Sequence, residues 1–166
     1  MSDRITLQLR GLDGVLELLQ KLPADVVSKR GGPVLKALRT GARVIQREAA
    51  LNLARAVGSL GSDDVTSSGL LLKNLVATRG KEPTGTKGER YLVRVRRKSY
   101  QRKGEPVTTL KTAQLLEYGS AQQPAEPWLR PAFAAKAEPA IRTVETTLVK
   151  DLDRIVRKLG KKGGLS

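Results

Sequence analysis

The 166-residue chain contains neither cysteine nor histidine. Without cysteine, disulfides, thiolate nucleophiles, iron–sulfur clusters and cysteine zinc sites are excluded. Without histidine, there is no Ser-His-Asp triad, no histidine metal pair and no ordinary general base near neutral pH. An enzyme made from this sequence would have to work with carboxylates, lysine or Mg²⁺ alone. Aromatics are scarce too: Trp128, Phe133, Tyr91, Tyr100 and Tyr118 are the full set, so any core is aliphatic. No segment approaches the ~18 apolar residues of a membrane span. Met1 to Leu7 holds no apolar signal-peptide core. These absences predict a soluble, non-enzymatic protein with no cofactor and no membrane partner. The missing cysteines also suit synthesis in a cytosol.

Positive charge is what the chain has in excess. It carries 31 Lys and Arg against 16 Asp and Glu, a net +15. Such a surplus attracts nucleic acid, anionic lipid or acidic protein surfaces. An apolar share of 39% is enough for one domain with a core.

Residues 4–10 alternate Ile5, Leu7 and Leu9 with Arg4, Thr6, Gln8 and Arg10, the pattern of a half-buried strand. Leu12, Val15, Leu16 and Leu19 then recur at helical spacing until Pro23. Gly31 and Gly32 break the chain, and Pro33 suits the first position of a new helix. One long helix is expected over 33–57, closed by Gly58, with Leu35, Leu38, Ala42, Ile45, Ala49 and Ala56 on one face. Residues 58–69 read as a polar loop, and Ser67 or Ser68 as the cap of a short helix carrying Leu70, Leu71, Leu72 and Leu75. After a flexible connection over 80–89, Tyr91, Val93 and Val95 alternate with Arg90, Leu92, Arg94 and Arg96, a strand with a basic outer face. Residues 98–106 form a polar, hairpin-like excursion from which 107–110 pair back.

The last third reads as helix. Ala113 to Tyr118 is a short helix capped by Gly119, and a proline-bounded loop runs from Ser120 to Pro127. A long helix starts around Pro131, with a kink expected at Pro139. The expected architecture is α+β: a small antiparallel sheet packed against long helices, with a kinked C-terminal helix. Residues 1–160 form one domain, and 161–166 a flexible tail.

Three candidate catalytic or nucleotide features give way to plainer readings. Gly80 to Lys87 spaces its glycines like a phosphate loop, but Lys and Thr are transposed and no helix follows Gly88. Asp63 and Asp64 lack a third carboxylate nearby for Mg²⁺, so a basic nuclease is the weakest reading. Glu117 and Glu126 flank one loop, but nothing in the sequence points to a raised pKa for an acid–base pair.

The basic stretch carries more. Residues 88–112 hold eight Lys and Arg (Arg90, Arg94, Arg96, Arg97, Lys98, Arg102, Lys103 and Lys111) against two acids. Alternation puts Arg90, Arg94 and Arg96 on one strand face. Such a surface neutralises phosphates without reading sequence, and it equally guards a sheet edge against aggregation. A small, non-specific DNA-binding protein using this strand is therefore one reading of the whole chain.

Residues 115–133 form a rigid corner: Leu115, Leu116, Glu117, Tyr118, Gly119, then a short loop, then Pro127, Trp128, Leu129, Arg130 and Pro131. Trp128 fits either a core anchor or an interface anchor, since Trp and Arg dominate binding hot spots. This stretch resembles the tail-completion or neck (head–tail connector) proteins of long-tailed double-stranded DNA bacteriophages. That family carries a Leu-Leu-Glu-aromatic-Gly-Thr/Ser segment, here Leu115–Ser120. It follows with Pro-aromatic-Leu-Arg-Pro-Ala, here Pro127–Ala132. Ser68, Gly69, Leu70 and Leu71 are similar to its upstream Thr-Gly-x-Leu segment. The resemblance implies a structural virion protein, made in the host cytoplasm and assembled at the head–tail junction. It would form a ring, six copies being usual, around passing double-stranded DNA and dock other neck and tail-tube proteins. The corner residues 115–119 and 127–131 are then expected at a subunit or partner interface. Arg90, Arg94, Arg96, Arg97, Lys98, Arg102 and Lys103 are expected to face DNA or an acidic neighbour.

Overall fold

The computed structural model describes residues 32–58, 65–81, 89–102 and 104–163. The expected strand at 4–10 and helix at 12–22 lie outside the described residues, as do Asp63, Asp64 and Lys103. The described elements run α1 (Pro33–Gly58), α2 (Val65–Asn74), β1 (Leu75–Arg79), β2 (Tyr91–Val95), β3 (Ser99–Arg102), β4 (Glu105–Thr108), α3 (Thr109–Tyr118) and α4 (Leu129–Gly163).

The frame is an antiparallel pair of long helices, α1 and α4. Contacts step in opposite senses along the two: Lys36 meets Asp151 at 2.8 Å, Thr40 meets Thr147 at 3.2 Å, and Glu48 meets Lys136 at 3.6 Å. Small side chains let the backbones approach. Pro33, Ala37, Gly41, Ala49, Leu53 and Val57 are buried along α1 at spacings that are multiples of four, the helical ridge that packs into a facing groove. A Cβ on Gly41 would lie 2.5 Å from the Val144 side chain and 2.9 Å from the Ala140 carbonyl oxygen. This seam differs from the expected face of Leu35, Leu38, Ala42 and Ile45, which are only half-buried. The reason is that α1 is covered on two sides, by α4 and by the β1–β2 sheet, so its smallest residues sit deepest.

Two separate two-stranded antiparallel sheets lie against this frame, giving the expected α+β class. β1 pairs with β2 from Leu75–Val95 to Arg79–Tyr91, and β3 pairs with β4 from Ser99–Thr108 to Arg102–Glu105. The excursion after β2 is thus a hairpin of its own, and its return strand pairs with β3. β1 was not foreseen, because Leu75 reads as the last apolar position of a leucine-rich helix. In fact α2 starts at Val65, placing Ser67 and Ser68 inside it, and gives way to β1 at Leu75. Gln46 Nε2 on α1 donates to the Leu75 carbonyl at 2.8 Å, tying that junction down.

The main core gathers Ala49, Leu53 and Val57 of α1, Leu71, Leu75 and Val95, and Ala113, Leu116, Trp128 and Ala132. A second cluster joins Ala37 to Leu148 and Leu152 near the far end of the pair. α3 begins four residues earlier than expected, at Thr109, because Thr108 caps it by accepting from the Lys111 amide at 3.3 Å. α4 begins at Leu129 and continues through Pro139 as one element to Gly163, so it includes Lys161–Gly163. Pro139 and Ala135, whose carbonyl the missing N–H leaves free, are both exposed, so water can satisfy it.

Candidate functional site: a capped corner beside a basic strand

The corner between α3 and α4 is organised around Glu117, 4% exposed in the last turn of α3. One of its oxygens accepts from the backbone amides of Trp128 and Leu129, both at 2.8 Å. The other accepts from the Arg130 amide at 3.0 Å and from Arg130 Nε at 2.8 Å. A helix start leaves its first amides without intrahelical partners. Here a carboxylate from another helix supplies them, and Pro131, next in line, has no amide to satisfy. Negative charge at a helix N-terminus is further favoured by the helix dipole.

The remaining groups of the corner are equally occupied. Arg130 Nη2 donates to the Glu117 carbonyl at 2.8 Å, and its guanidinium stacks over the Tyr118 ring at 4.9 Å. Trp128 Nε1 donates to the Ala113 carbonyl at 3.1 Å, and the Trp128 carbonyl accepts from Asn52 on α1 at 3.2 Å. Gly119 closes α3 with φ 75°, its amide donating to Leu115, and the Glu126 amide donates to Leu116. A Cβ on Gly119 would lie 2.8 Å from the Ala125 nitrogen, so both conformation and space demand glycine.

Burial alone would push the Glu117 carboxyl upward. The amides of Leu129, Trp128 and Arg130, with the Arg130 side chain, outweigh that and hold it below the ordinary carboxylate range. An ionised carboxylate with four donors on it is a structural anchor. It does not suit the acid–base role considered with Glu126.

The residues expected at a partner interface therefore divide. Leu116, Glu117 and Trp128 are buried within the chain itself. Their side chains are consumed in joining α3 to α4. Leu115, Gly119 and Leu129 are half-buried, whereas Tyr118, Pro127, Arg130 and Pro131 are exposed. The signal for the Glu117–Arg130 pairing was present in the sequence: an acid between core positions of a helix needs a buried donor set.

Beside this corner the basic strand projects outward. Arg90, Arg94 and Arg96 are exposed on the face of β2 opposite the half-buried Tyr91 and Val93 and buried Val95, as alternation requires. Arg97 and Lys98 are exposed in the link to β3. Thr109, fully buried, fixes that link: its hydroxyl donates to the Arg96 carbonyl at 2.6 Å and accepts from the Lys98 amide at 2.8 Å. Arg102 pairs through its backbone with Glu105. Arg79 is different, engaging Glu89 through two donors at 2.9 and 2.6 Å.

Compared with known proteins, the chain matches no family model, no curated protein and no solved structure.

Among the described residues there is no group of three His, Cys, Asp or Glu able to hold a metal ion. No helix there is long and apolar enough to cross a membrane. The phosphate-loop reading finds no support either: β1 runs into Gly80, and among the described residues the next element is the strand β2.

Proposed function

We propose that the chain is a structural, non-enzymatic virion protein of the neck of a long-tailed bacteriophage. In this reading it forms a ring at the head–tail junction through which double-stranded DNA passes. The observation that carries it is the resemblance of Leu115–Ser120 and Pro127–Ala132, together with their meeting in one corner. A motif whose glutamate caps a helix and whose tryptophan fills the core has architectural logic, not catalytic logic. Exposed Tyr118, Pro127, Arg130 and Pro131 then remain for neighbours in the ring or for other neck and tail-tube proteins. The protein would be made in the host cytoplasm and end in the virion.

The exposed row of Arg90, Arg94, Arg96, Arg97 and Lys98 supports a second reading, a small non-specific DNA-binding protein. Two measurements separate them. A neck protein forms rings, alone or on purified tails, visible by electron microscopy and countable by native mass measurement. Its affinity for free duplex DNA is weak and vanishes between low and moderate salt, because DNA must slide past at ejection. Tight, salt-resistant binding by a monomer that never forms rings would overturn the neck assignment.

A further inference from the structure

Beyond β2, on the side away from β1, lies an apolar groove of about 460 Å³. Its walls include Leu38 and Ile45 of α1 and Phe133, Ile141 and Val144 of α4, all half-buried. From the sheet it is lined by Tyr91, Leu92 and Val93, and by no residue of β1. Consecutive residues point to opposite faces of a strand. A groove lined by three in a row therefore runs along the strand's edge.

The backbone of that edge can be assigned. The Gly80 amide donates to the Arg90 carbonyl, and the Arg96 amide to the Asn74 carbonyl. Antiparallel ladders alternate bonded and non-bonded pairs. β2 thus turns the backbone groups of Arg90, Leu92, Arg94 and Arg96 toward β1, and those of Tyr91, Val93 and Val95 outward. No strand pairs with that outer edge among the described residues. A two-stranded sheet bordered by an apolar trough is a place for a third strand, since isolated two-stranded sheets are marginal. An added strand gains main-chain bonds at the edge and side-chain pockets in the trough.

We propose that residues 4–10 of the same chain dock in this groove as a strand beside β2. Their alternation supplies Ile5, Leu7 and Leu9 for the trough and leaves Arg4, Thr6, Gln8 and Arg10 on the basic outer face. Length permits it. From Pro33 to Ile45 along α1 is about 18 Å, at ~1.5 Å per residue. The 21 residues from 11 to 31 exceed that reach even with 12–22 as a helix of about 16 Å, the others spanning up to ~3.3 Å each. The groove is then a seam of the fold, closed from within. The inference is independent of the neck reading.

Amide exchange on the full chain tests it. The Tyr91 and Val93 amides should exchange about tenfold or more slowly than in a Leu7→Asp variant, while Leu92 and Arg94, bonded to β1, stay protected in both. Equal exchange at Tyr91 and Val93 in the two proteins overturns the proposal. A second measurement does not depend on the fold of that variant. With no native cysteine, a nitroxide on Thr6→Cys marks a single outward site. It should broaden the Tyr91–Val93 amides in dilute protein within one molecule. Absence of broadening overturns docking. Broadening seen only when spin-labelled chains are mixed with isotope-labelled ones assigns the groove to a second copy's segment and overturns the intramolecular assignment.

Discussion

Glu117 and Arg94 are both charged residues on regular elements, but the chain uses them in opposite ways. Glu117 is buried and carries four donors, three of them backbone amides. Arg94 stands exposed on the outer face of β2, between Arg90 and Arg96, with Val76 as its cross-strand neighbour. Around Glu117 the polar groups are matched internally, so the corner is stiff and offers a partner only its rim. Around Arg94 the charge is left to solvent and to whatever anion approaches. The contrast separates two kinds of conspicuous sequence. The motif most specific in pattern proves to hold the fold together, whereas the less distinctive basic row is the surface with charge to spare.

The contrast is sharpest at Trp128. Replacing it with alanine empties a core position between α1, α3 and α4, and should cost about 3–5 kcal/mol, read as the shift in a urea midpoint. A shift under about 1 kcal/mol would show that the corner is not the keystone described. Glu117→Ala should cost somewhat less, about 3 kcal/mol, because Arg130 is about half exposed and water can reach it while the three amides are orphaned. Glu117→Gln, which keeps the shape but loses the charge, should recover part of that loss. Identical losses in both variants would assign the effect to the carboxylate charge alone, with nothing from the shape that glutamine keeps.

The same carboxylate sets an acid limit. Its folded pKa is depressed, so the unfolded chain binds the proton more readily and protonation favours unfolding. The stability it contributes is complete above the ordinary glutamate value of ~4.3. It is lost as pH falls through the lower folded value. Thermal midpoints should decline below about pH 4, and less steeply in Glu117→Gln. A decline of equal slope in both proteins would place the acid sensitivity elsewhere.

The smallest stability effect belongs to the basic row. The triple variant Arg94→Ala, Arg96→Ala, Arg97→Ala should stay within about 0.5 kcal/mol per site of the parent. It should nevertheless lose the weak duplex affinity expected at low salt, flattening the salt dependence by up to about three charges. Loss of folding would mean these arginines have internal partners after all. Retained affinity would move the anion-binding surface away from β2.

Much of the frame was legible. Pro33 opens α1 as its chemistry predicts, alternation located β2, and Gly119 marked the end of α3 with its positive φ. β1 was not legible, since Leu75 continues a leucine run and only pairing with Val95 makes it a strand. The sequence shows a rigid corner, but not that Leu116, Glu117 and Trp128 turn inward within it. Sequence spacing shows that Glu117 and Arg130 are close along the chain. It does not show that the carboxylate turns back onto the start of α4.

By itself, the sequence determined composition-level facts and local geometry. No thiol or imidazole chemistry is available, α1, α4 and β2 lie close to where periodicity puts them, and Pro33 and Gly119 mark two of the helix ends. These are properties of neighbouring residues and of groups present or absent, so no folding is needed to read them. Only the tertiary structure decided which charges are spent inside and which remain outside. It brought the α3 carboxylate onto the α4 amides, sank Gly41 rather than Leu38 into the helix seam, and left one edge of β2 beside an apolar trough. Satisfying a buried polar group or filling a helix crossing depends on partners far away in the chain, and the fold alone brings those together.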